Sequence, residues 1–331
     1  MKKIEEDILY ISEEAKKLGF ENKSFLVSGA TGMIGRMFIN ALKQVTKEEK
    51  IFVMGLDEQE ARDVYKDTKC VPVAFNTLNT IKGDVDCIIH LASPTNSKFM
   101  TEKPVETISF IYESTKQLLD FAKEHHSKML YVSSMEVFGE VKDEEKRSEA
   151  DLGKVSLTNT RSSYPETKRL CELLCYSYAK EFDLPVYIAR LAQTFGAGTI
   201  STDTRIFGYM ARCVLNNENI VLQTKGDSYG NYCYLADTLK AFFYILEKGE
   251  KGQSYNVVGD NTRSTIKDLA YLVAEKIAMN KIHVEFNLNN SGIYPKPTLL
   301  NMDNKAIKAI GWAPKYGLVD MFERMIASWQ E

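Results

Sequence analysis

The fold of this chain is decided by Ser-Phe-Leu-Val-Ser-Gly-Ala-Thr-Gly-Met-Ile-Gly at residues 24–35. The apolar run at 25–27 is typical of a buried parallel strand, and the glycine-containing residues 29–32 follow it as a turn. From Ile34 onward the apolar residues recur at helical spacing. The stretch therefore predicts a strand, a tight turn and the N-terminus of a helix.

Such a junction favours a dinucleotide site. The first turn of a helix leaves backbone N–H groups without partners and carries the positive end of the helix dipole, and glycines let a pyrophosphate approach the main chain. The alternative is that these glycines serve packing alone. The predicted cofactor-binding residues of the turn are Gly29, Thr31, Gly32, Met33, Ile34 and Gly35.

An acidic residue follows the next strand-like run, Ile51 to Leu56. Asp57 lies 22 residues beyond Gly35, close to the spacing of about 20 at which an acid meets the adenosine ribose hydroxyls. Asp57 therefore favours NAD over NADP. It could equally cap the segment that follows it.

Composition describes an ordinary globular protein. The 331 residues are 44% hydrophobic and 26% charged, with a net charge of −3, so nucleic acid is not an expected partner. No apolar stretch reaches the ~18 residues of a membrane span, and the acidic start does not resemble a secretion signal. We expect a cytoplasmic location. The six cysteines include no Cys-x-x-Cys pair and are interpreted as reduced core thiols, not as disulfides or metal ligands.

Strand and helix patterns alternate through most of the chain, which predicts an α/β fold: a Rossmann-type doubly wound parallel sheet with a small mixed C-terminal substrate lobe. We assign residues 1–195 mainly to the NAD-binding domain and 196–331 mainly to the lobe, with 232–260 returning to the sheet. Further strands are predicted at 71–73, 86–92, 128–133, 186–191, 220–223 and 255–258. Helices are predicted at 3–18, 33–46, 104–124, 164–182, 206–215, 237–248, 265–278, 303–310 and 317–329, with Thr265 and Asp268 capping one of them.

Polar loops follow the fourth and fifth predicted strands. Because the carboxyl ends of parallel strands line the ligand crevice, Leu91, Ala92, Ser93 and Thr95 are candidate cofactor or substrate contacts, as an alternative to a solvated loop. After the fifth strand come Ser134 and Glu136. Glu136 is a candidate acid or base, or a surface carboxylate.

Tyr164 and Lys168 share one face of a predicted helix. The same Tyr-x-x-x-Lys spacing also begins at Tyr65, Tyr112, Tyr176 and Tyr244, but only Tyr164 follows the serine pair by 30 residues and opens a helix after the fifth strand. Oxidising a sugar hydroxyl needs a base, and free tyrosine, with a pKa of about 10, is a poor one. A nearby ammonium lowers that pKa, so Lys168 is expected to activate Tyr164 while Ser134 holds the substrate oxygen.

In this ordered set the sequence resembles the extended short-chain dehydrogenase/reductase family of nucleotide-sugar epimerases, dehydratases and decarboxylases. The matching positions are the glycine turn, Asp57, His90-Leu-Ala-Ser93, Ser134-Met-Glu-Val-Phe-Gly139, Tyr164-x-x-x-Lys168, Arg190 and Tyr234-Leu-Ala-Asp237. Residues 90–94 and 161–169 look closest to UDP-glucuronate decarboxylases. The resemblance implies Ser134, Tyr164 and Lys168 as catalytic trio, Glu136 acting after the first oxidation, tightly bound and internally recycled NAD, and a homodimer paired through helices 104–124 and 164–182.

The sequence departs from the family pattern at the substrate side. The family's arginine, a contact for diphosphate or carboxylate, falls on Gly230, and Met135-Glu136 replaces the Asp-Glu of the dehydratases. An asparagine that contacts substrate in the family falls on Gln193. The predicted substrate contacts are therefore Ser93, Thr95, Gln193 and, as replacement cation, Arg205; no metal site is expected.

These observations predict an NAD-dependent enzyme that oxidises a hydroxyl of a nucleotide-activated sugar, expected at C4, to a transient ketone. Epimerisation, dehydration or decarboxylation would follow. One alternative is an NAD(P)H-dependent ketone or aldehyde reductase of the same fold. Another is a cofactor-binding regulator that has lost catalysis, suggested by Gly230 and Met135.

Overall fold

The computed structural model describes residues 2–55, 57–288 and 297–331. Its strands are β1 Phe25–Ser28, β2 Ile51–Met54, β3 Val71–Val73, β4 Cys87–His90, β5 Lys128–Ser134, β6 Val186–Leu191, β7 Gln193–Phe195, β8 Ile220–Leu222, β9 Tyr229–Gly230, β10 Tyr232–Tyr234, β11 Ser254–Val257, β12 Ser264–Thr265 and β13 Val284–Phe286. Its helices are α1 Lys3–Lys17, α2 Met33–Leu42, α3 Glu58–Tyr65, α4 Ser97–Glu102, α5 Pro104–His125, α6 Ser163–Phe182, α7 Ile206–Asn216, α8 Leu235–Lys248, α9 Ile266–Leu272, α10 Lys305–Ala309 and α11 Leu318–Gln330.

Seven of these strands form one parallel sheet in the order β11-β6-β5-β4-β1-β2-β3. Strand β1 lies in the middle, with Phe25 paired to Ile51 on one side and to Cys87 on the other. The strand order reverses between β1 and β4, and ligands of such sheets bind outside the carboxyl ends of the strands at that point. The predicted doubly wound parallel sheet is confirmed.

Helices cover both faces of the sheet, because successive side chains of each buried strand point to opposite faces. Phe25 and Val27 face the layer that holds α2 and α8, where Phe25 meets the rings of Phe38 and Phe243 at centroid distances of 6.4 Å. Leu26 points the other way, into the core formed with α5 and α6. The glycine turn is thus anchored from both sides.

Two short helices were not predicted, α3 and α4. Both follow a capping side chain: Asp57 accepts from Glu60 N at 2.8 Å, and Asn96 accepts from Lys98 N at 2.9 Å. The strand predicted at 51–56 ends at Met54, and Leu56 lies outside the described residues.

The helix predicted at 265–278 begins as expected and then changes its winding. Thr265 Oγ1 accepts from Asp268 N at 3.0 Å and donates to Asp268 Oδ2 at 2.6 Å, which confirms the cap. After α9 the chain makes a π-helical turn at Val273–Ile277. Apolar periodicity alone does not distinguish this turn from an α-helix.

The C-terminal third contributes one strand to the main sheet and several small strand pairs. Strand β11 pairs in parallel with β6, while β7 pairs with β10, β8 with β13 and β9 with β12. The division of the chain at residues 195 and 196 stays a prediction. Helix α1 packs against α8 and α2.

All six cysteines are buried and unpaired, as predicted. Within residues 2–55, 57–288 and 297–331, no helix combines the length and the hydropathy that crossing a bilayer requires.

Candidate active site

The glycine turn is built by close contact with the end of β4. Gly29 has φ +69°, and a Cβ there would lie 2.8 Å from Ala92 N. A Cβ on Gly35 would collide with the carbonyl oxygen of Gly29 and lie 2.7 Å from the Cα of Ala30. Both glycines are therefore required for backbone packing.

Gly32 is different, since a Cβ there would meet nothing nearer than Gly29 O at 3.5 Å. It is the N-cap of α2, and no side chain caps that helix. The N–H groups of the first helical turn, from Met33 onward, have no partner within the helix. The open side of Gly32 therefore suits close approach of an anion such as a pyrophosphate.

Asp57 begins α3 after β2 and is exposed. One carboxylate oxygen, Oδ1, is used by the helix cap described above. The sequence left open whether Asp57 caps a helix or binds ribose. The structure shows the cap, and the ribose contact stays a prediction.

His90, the last residue of β4, fixes the loop that follows this strand. The imidazole Nδ1 lies 2.7 Å from Ser28 Oγ and Nε2 lies 3.1 Å from Thr115 Oγ1, while Ala92 N donates to Ser28 Oγ at 3.3 Å. Burial, reinforced by the Lys168 charge, lowers the pKa of His90 to about 3. His90 is thus a neutral structural link that positions Leu91 and Ala92 next to Gly29.

Ser134 ends β5 and accepts a hydrogen bond from Glu136 N at 3.2 Å. The strand is tied to α6 by a buried network in which Ser133 Oγ donates to Glu172 Oε1 at 2.5 Å. Arg190 Nη2 reaches Glu172 Oε2 at 2.6 Å. This network fixes α6 against β5 and so fixes the spacing between Ser134 and the tyrosine of α6.

Tyr164 lies at the start of α6, and Lys168 Nζ is 5.7 Å from the centroid of its ring. Lys168 is buried and donates to Val132 O at 2.9 Å. The hydroxyls of Ser134 and Ser93 both favour the phenolate of Tyr164. The structure thus brings Ser93, Ser134, Tyr164 and Lys168 together, and their catalytic and binding roles stay predictions.

The protonation of the pair differs from expectation. Burial raises the pKa of Tyr164 to about 12, with the Glu136 charge adding to the effect and the Ser134 hydroxyl opposing it. Burial lowers the pKa of Lys168 to about 8. In the protein alone, desolvation outweighs the predicted lowering of the tyrosine pKa by the ammonium.

Arg161 is a site residue to which the sequence analysis assigned no role. Its Nη2 lies 2.8 Å from the Glu136 carboxylate and its Nε donates to Ser97 Oγ at 2.9 Å. Its guanidinium carbon is 5.6 Å from the Tyr164 ring centroid. The available signal was its position three residues before Tyr164, which places a cation at the entry to the same helix.

The remaining predicted substrate contacts lie on other elements. Thr95 is exposed in the loop after β4, and Gln193 opens β7, where its N donates to Asn231 O at 2.9 Å. Arg205 is bound by Asp203, with Nη2 to Oδ2 at 2.6 Å, and its Nη2 is 3.8 Å from Met33 Sδ. The structure thus places Arg205 beside the glycine turn.

Gly230 has its side-chain space already filled. A Cβ at this position would collide with the hydroxyl of Tyr232 and with two of its ring carbons. Tyr232 is fully buried. The ring thus occupies the space into which an arginine at position 230 would extend.

Seven buried side-chain polar atoms of the described chain have no hydrogen-bond partner, and three of them lie around Tyr164 and Lys168. Within the described chain, Ser93 Oγ, Tyr131 Oη and Arg161 Nη1 are buried and have no hydrogen-bond partner. Lys168 Nζ is 4.8 Å from the centroid of the Tyr131 ring. Because buried polar groups are ordinarily paired, these atoms and the open face of Gly32 fit a polar ligand that extends from the turn to Tyr164, as NAD with a substrate would.

The model of the NAD dependent epimerase/dehydratase family matches residues 25–258. UDP-glucuronic acid decarboxylase 6 of Arabidopsis thaliana is 27% identical over 301 residues, covering 90% of this chain and 86% of that protein.

Solved structures of low sequence identity share the fold. An epimerase of Methanothermobacter thermautotrophicus has a TM-score of 0.78 at 18% identity, covering 97% of this chain and 95% of that one. A dTDP-glucose 4,6-dehydratase of Bacillus anthracis, solved in complex with NAD, has a TM-score of 0.73 at 18% identity, covering 93% and 96%.

Proposed function

This chain belongs to the NAD dependent epimerase/dehydratase family, and we propose that it remodels a nucleotide-activated sugar by transient oxidation of the C4 hydroxyl. Family membership makes it an NAD-dependent enzyme. The observation that carries the proposal is the convergence of Ser134, Tyr164 and Lys168 at the carboxyl edge of the sheet, beside buried polar atoms that lack partners.

Gly29, Gly32, Gly35 and the first turn of α2 would hold the pyrophosphate, with Asp57 at the adenosine ribose. When bound, NAD supplies a hydride acceptor and a positive charge beside the tyrosine. A phenol with a pKa of about 12 holds its proton at neutral pH, so the protein alone favours donation of a proton to a ketone oxygen. Additional positive charge near the ring favours the reverse transfer.

Ser134 would hold the substrate oxygen and Tyr164 would exchange a proton with it. The ammonium of Lys168 would stabilise the phenolate form of Tyr164. Glu136 would move a proton at the neighbouring carbon, which is where epimerisation, dehydration and decarboxylation diverge. Thr95, Gln193 and Arg205 are proposed substrate contacts.

We also propose a homodimer formed through α5 and α6. Apolar side chains stand exposed on these helices on the side away from the sheet: Leu173 is 61% exposed, Leu170 45% and Ile108 44%. The opposite side of α6 buries Cys171 and Cys175 in the core. A second copy of the same two helices would cover such a face. A cytoplasmic location is proposed because all six cysteines are buried and none is paired in a disulfide, which is usual for proteins of reducing compartments.

The test is a screen of UDP-, dTDP-, GDP- and CDP-sugars with the purified protein and NAD, analysed by mass spectrometry. We expect a modified nucleotide sugar from one of them without net production of NADH. Stoichiometric consumption of added NADH with a ketone or aldehyde would instead identify a reductase. Bound NAD with no product from any sugar would identify a non-catalytic binding protein.

A further inference from the structure

Two cations flank the ring of Tyr164. The guanidinium carbon of Arg161 lies 5.6 Å from the ring centroid and Lys168 Nζ lies 5.7 Å from it. Arg161 stands in the 3₁₀ turn Thr160–Ser162 that leads into α6, and Lys168 in the second turn of that helix. Burial lowers the pKa of Lys168 to about 8, whereas a guanidinium stays charged at any pH at which the protein is folded. Arg161 is therefore the cation whose charge is constant.

Arg161 is bound to the acid that faces the same ring. Both carboxylate oxygens of Glu136 lie 2.8 Å from Nη2, and Nε donates to Ser97 Oγ at 2.9 Å. Ser97 begins α4, and Glu136 follows β5. One guanidinium thus joins the polar segments that follow β4 and β5 to the start of α6. Because charge-assisted hydrogen bonds are strong and directional, this contact fixes where the Glu136 carboxylate lies.

The groups around Tyr164 differ in their effect on its proton. The Glu136 charge opposes the phenolate and the Arg161 charge favours it. Tyr131, in β5, stays neutral because burial raises its pKa well above the usual value, and the ammonium of Lys168 lies at the distance given above. Without Arg161, the charge of Glu136 would act unopposed on the group that has to accept a proton.

We propose that Arg161 is a positioning residue of the oxidation step, which holds the Glu136 carboxylate and offsets its charge so that Tyr164 can take up the proton of the sugar hydroxyl. The inference rests on the proposed function. As the C4 hydroxyl becomes a ketone, its proton goes to the Tyr164 oxygen and the hydride from C4 goes to NAD, the acceptor named above. The pairing lets an acid needed for the later step stand beside the base needed for the first.

The test is the ionisation of Tyr164 in the NAD-loaded protein, followed by NMR of tyrosine labelled with ¹³C at Cζ, with Tyr164→Phe identifying the resonance. Arg161→Met should move the midpoint up by about one pH unit, and Glu136→Gln should move it down. Arg161→Met combined with Glu136→Gln should return close to wild type, because both charges are gone. Lys98→Met removes a cation that is 80% exposed and screened by water, and should leave the midpoint unchanged.

Kinetics with the nucleotide sugar identified by the screen give a second readout, since NADH formed in a single turnover reports oxidation alone. Arg161→Met should form NADH about tenfold more slowly at neutral pH and recover that rate about one pH unit higher. Arg161→Lys keeps the charge but cannot bind Glu136 and Ser97 together. It should form NADH at nearly the wild-type rate and lose kcat of the complete reaction.

Failure of this inference and failure of the proposed function give different results. The same Tyr164 midpoint in wild type and Arg161→Met overturns the inference and leaves the proposed function standing. So does a loss of rate in Arg161→Met that neither higher pH nor the added Glu136→Gln restores, because Arg161 would then only support the fold. A wild-type protein that converts no nucleotide sugar overturns the proposed function, whereas the titration needs no substrate.

Discussion

Two clusters in this molecule have the same ingredients and opposite character. The Tyr164 cluster contains Glu136, Arg161 and Tyr164; the Tyr234 cluster contains a carboxylate, an arginine and a tyrosine from α1, α11 and β10, namely Asp7, Arg324 and Tyr234. In each, the guanidinium carbon lies less than 6 Å from the tyrosine ring centroid, at 5.6 and 5.8 Å.

The Tyr234 cluster is saturated. Arg324 Nε donates to Tyr234 Oη at 2.9 Å, Nη1 to Glu6 Oε2 at 3.0 Å and Nη2 to Asp7 Oδ1 at 2.6 Å. The Tyr234 hydroxyl donates to Asp7. Because all three guanidinium nitrogens are paired, this cluster joins the two ends of the chain to the core and offers a ligand no unpaired nitrogen.

The Tyr164 cluster is unsaturated at Arg161 Nη1, and Ser93 Oγ beside it is also unpaired among the described residues. Residue types therefore do not separate a site from a structural contact. These two clusters differ in that only the Tyr164 cluster holds buried donors without partners among the described residues, and such groups destabilise the protein unless a ligand pairs them.

The largest expected effect comes from removing one oxygen in each cluster. Tyr164→Phe should lower kcat by about 10³-fold, within the range for loss of a general base, with a thermal midpoint close to wild type. Tyr234→Phe should destabilise by about 1–3 kcal/mol, because Asp7 loses a donor, while activity per folded molecule is kept. Steady-state kinetics and thermal unfolding of both variants measure the contrast, and retained turnover in Tyr164→Phe would remove that residue from the mechanism.

Removing each arginine should give the next largest difference. Arg324→Met leaves the carboxylate of Asp7, which is 0% exposed, without its cation, and we expect a loss of about 3–5 kcal/mol. Arg161→Met removes a partly exposed pair and should destabilise by less than about 1 kcal/mol. Urea unfolding measures the loss of unfolding free energy in each variant. Equal losses in Arg324→Met and Arg161→Met would contradict the distinction between the two clusters.

A pH dependence should be specific to Lys168. Its pKa is about 8 in the folded protein and about 10.4 in an unfolded chain, so the folded state disfavours the ammonium. The free energy of unfolding should therefore rise with pH between about 8 and 10.4, by about 3 kcal/mol from this group. Burial raises the pKa of the six cysteines, which lowers stability over the same range. The Lys168 contribution is therefore read as the difference in unfolding free energy between wild type and Lys168→Met, which should shift in favour of wild type from about pH 7 to about pH 10. Lys98→Met, an exposed control, should follow wild type.

The smallest expected change in catalysis comes from the exposed face of α6, the helix that carries Tyr164. Leu173→Glu places a charge where the proposed partner copy packs and should convert the dimer to a monomer, with kcat reduced less than about tenfold. Light scattering coupled to gel filtration measures the mass. A wild-type monomer would contradict the proposed interface.

Regular elements were predictable from the sequence because they follow from local patterns. Helices α5 and α6 and strand β6 appear within a residue or two of their predicted bounds, since each has sustained periodicity or an unbroken apolar run. The short helices α3 and α4 bury few apolar residues, so apolar periodicity does not predict them. Their N-capping residues, Asp57 and Asn96, are the better indication in the sequence. The glycine turn was predictable because Gly35 packs directly on Gly29 and Ala30, a few residues before it.

Pairings distant in sequence could not be predicted. Arg190 and Glu172 are 18 positions apart, and Ser133 and Glu172 are 39 apart, so nothing local links them. The protonation of Tyr164 and Lys168 depends on how deeply the fold buries them, which spacing does not report. The sequence shows that an arginine stands at 161, but only the folded structure shows that its Nη1 lacks a hydrogen-bond partner among the described residues.

The packing of Tyr232 over Gly230 also restricts how this site can change. Any side chain introduced at 230 collides with the phenol, so a new cation there demands that the ring leave first. Yet losing the ring opens a hole in the core against Phe195, whose centroid is 5.9 Å away. A side chain at 230 and the present position of the Tyr232 ring therefore exclude each other, so an arginine at 230 requires a compensating change at 232.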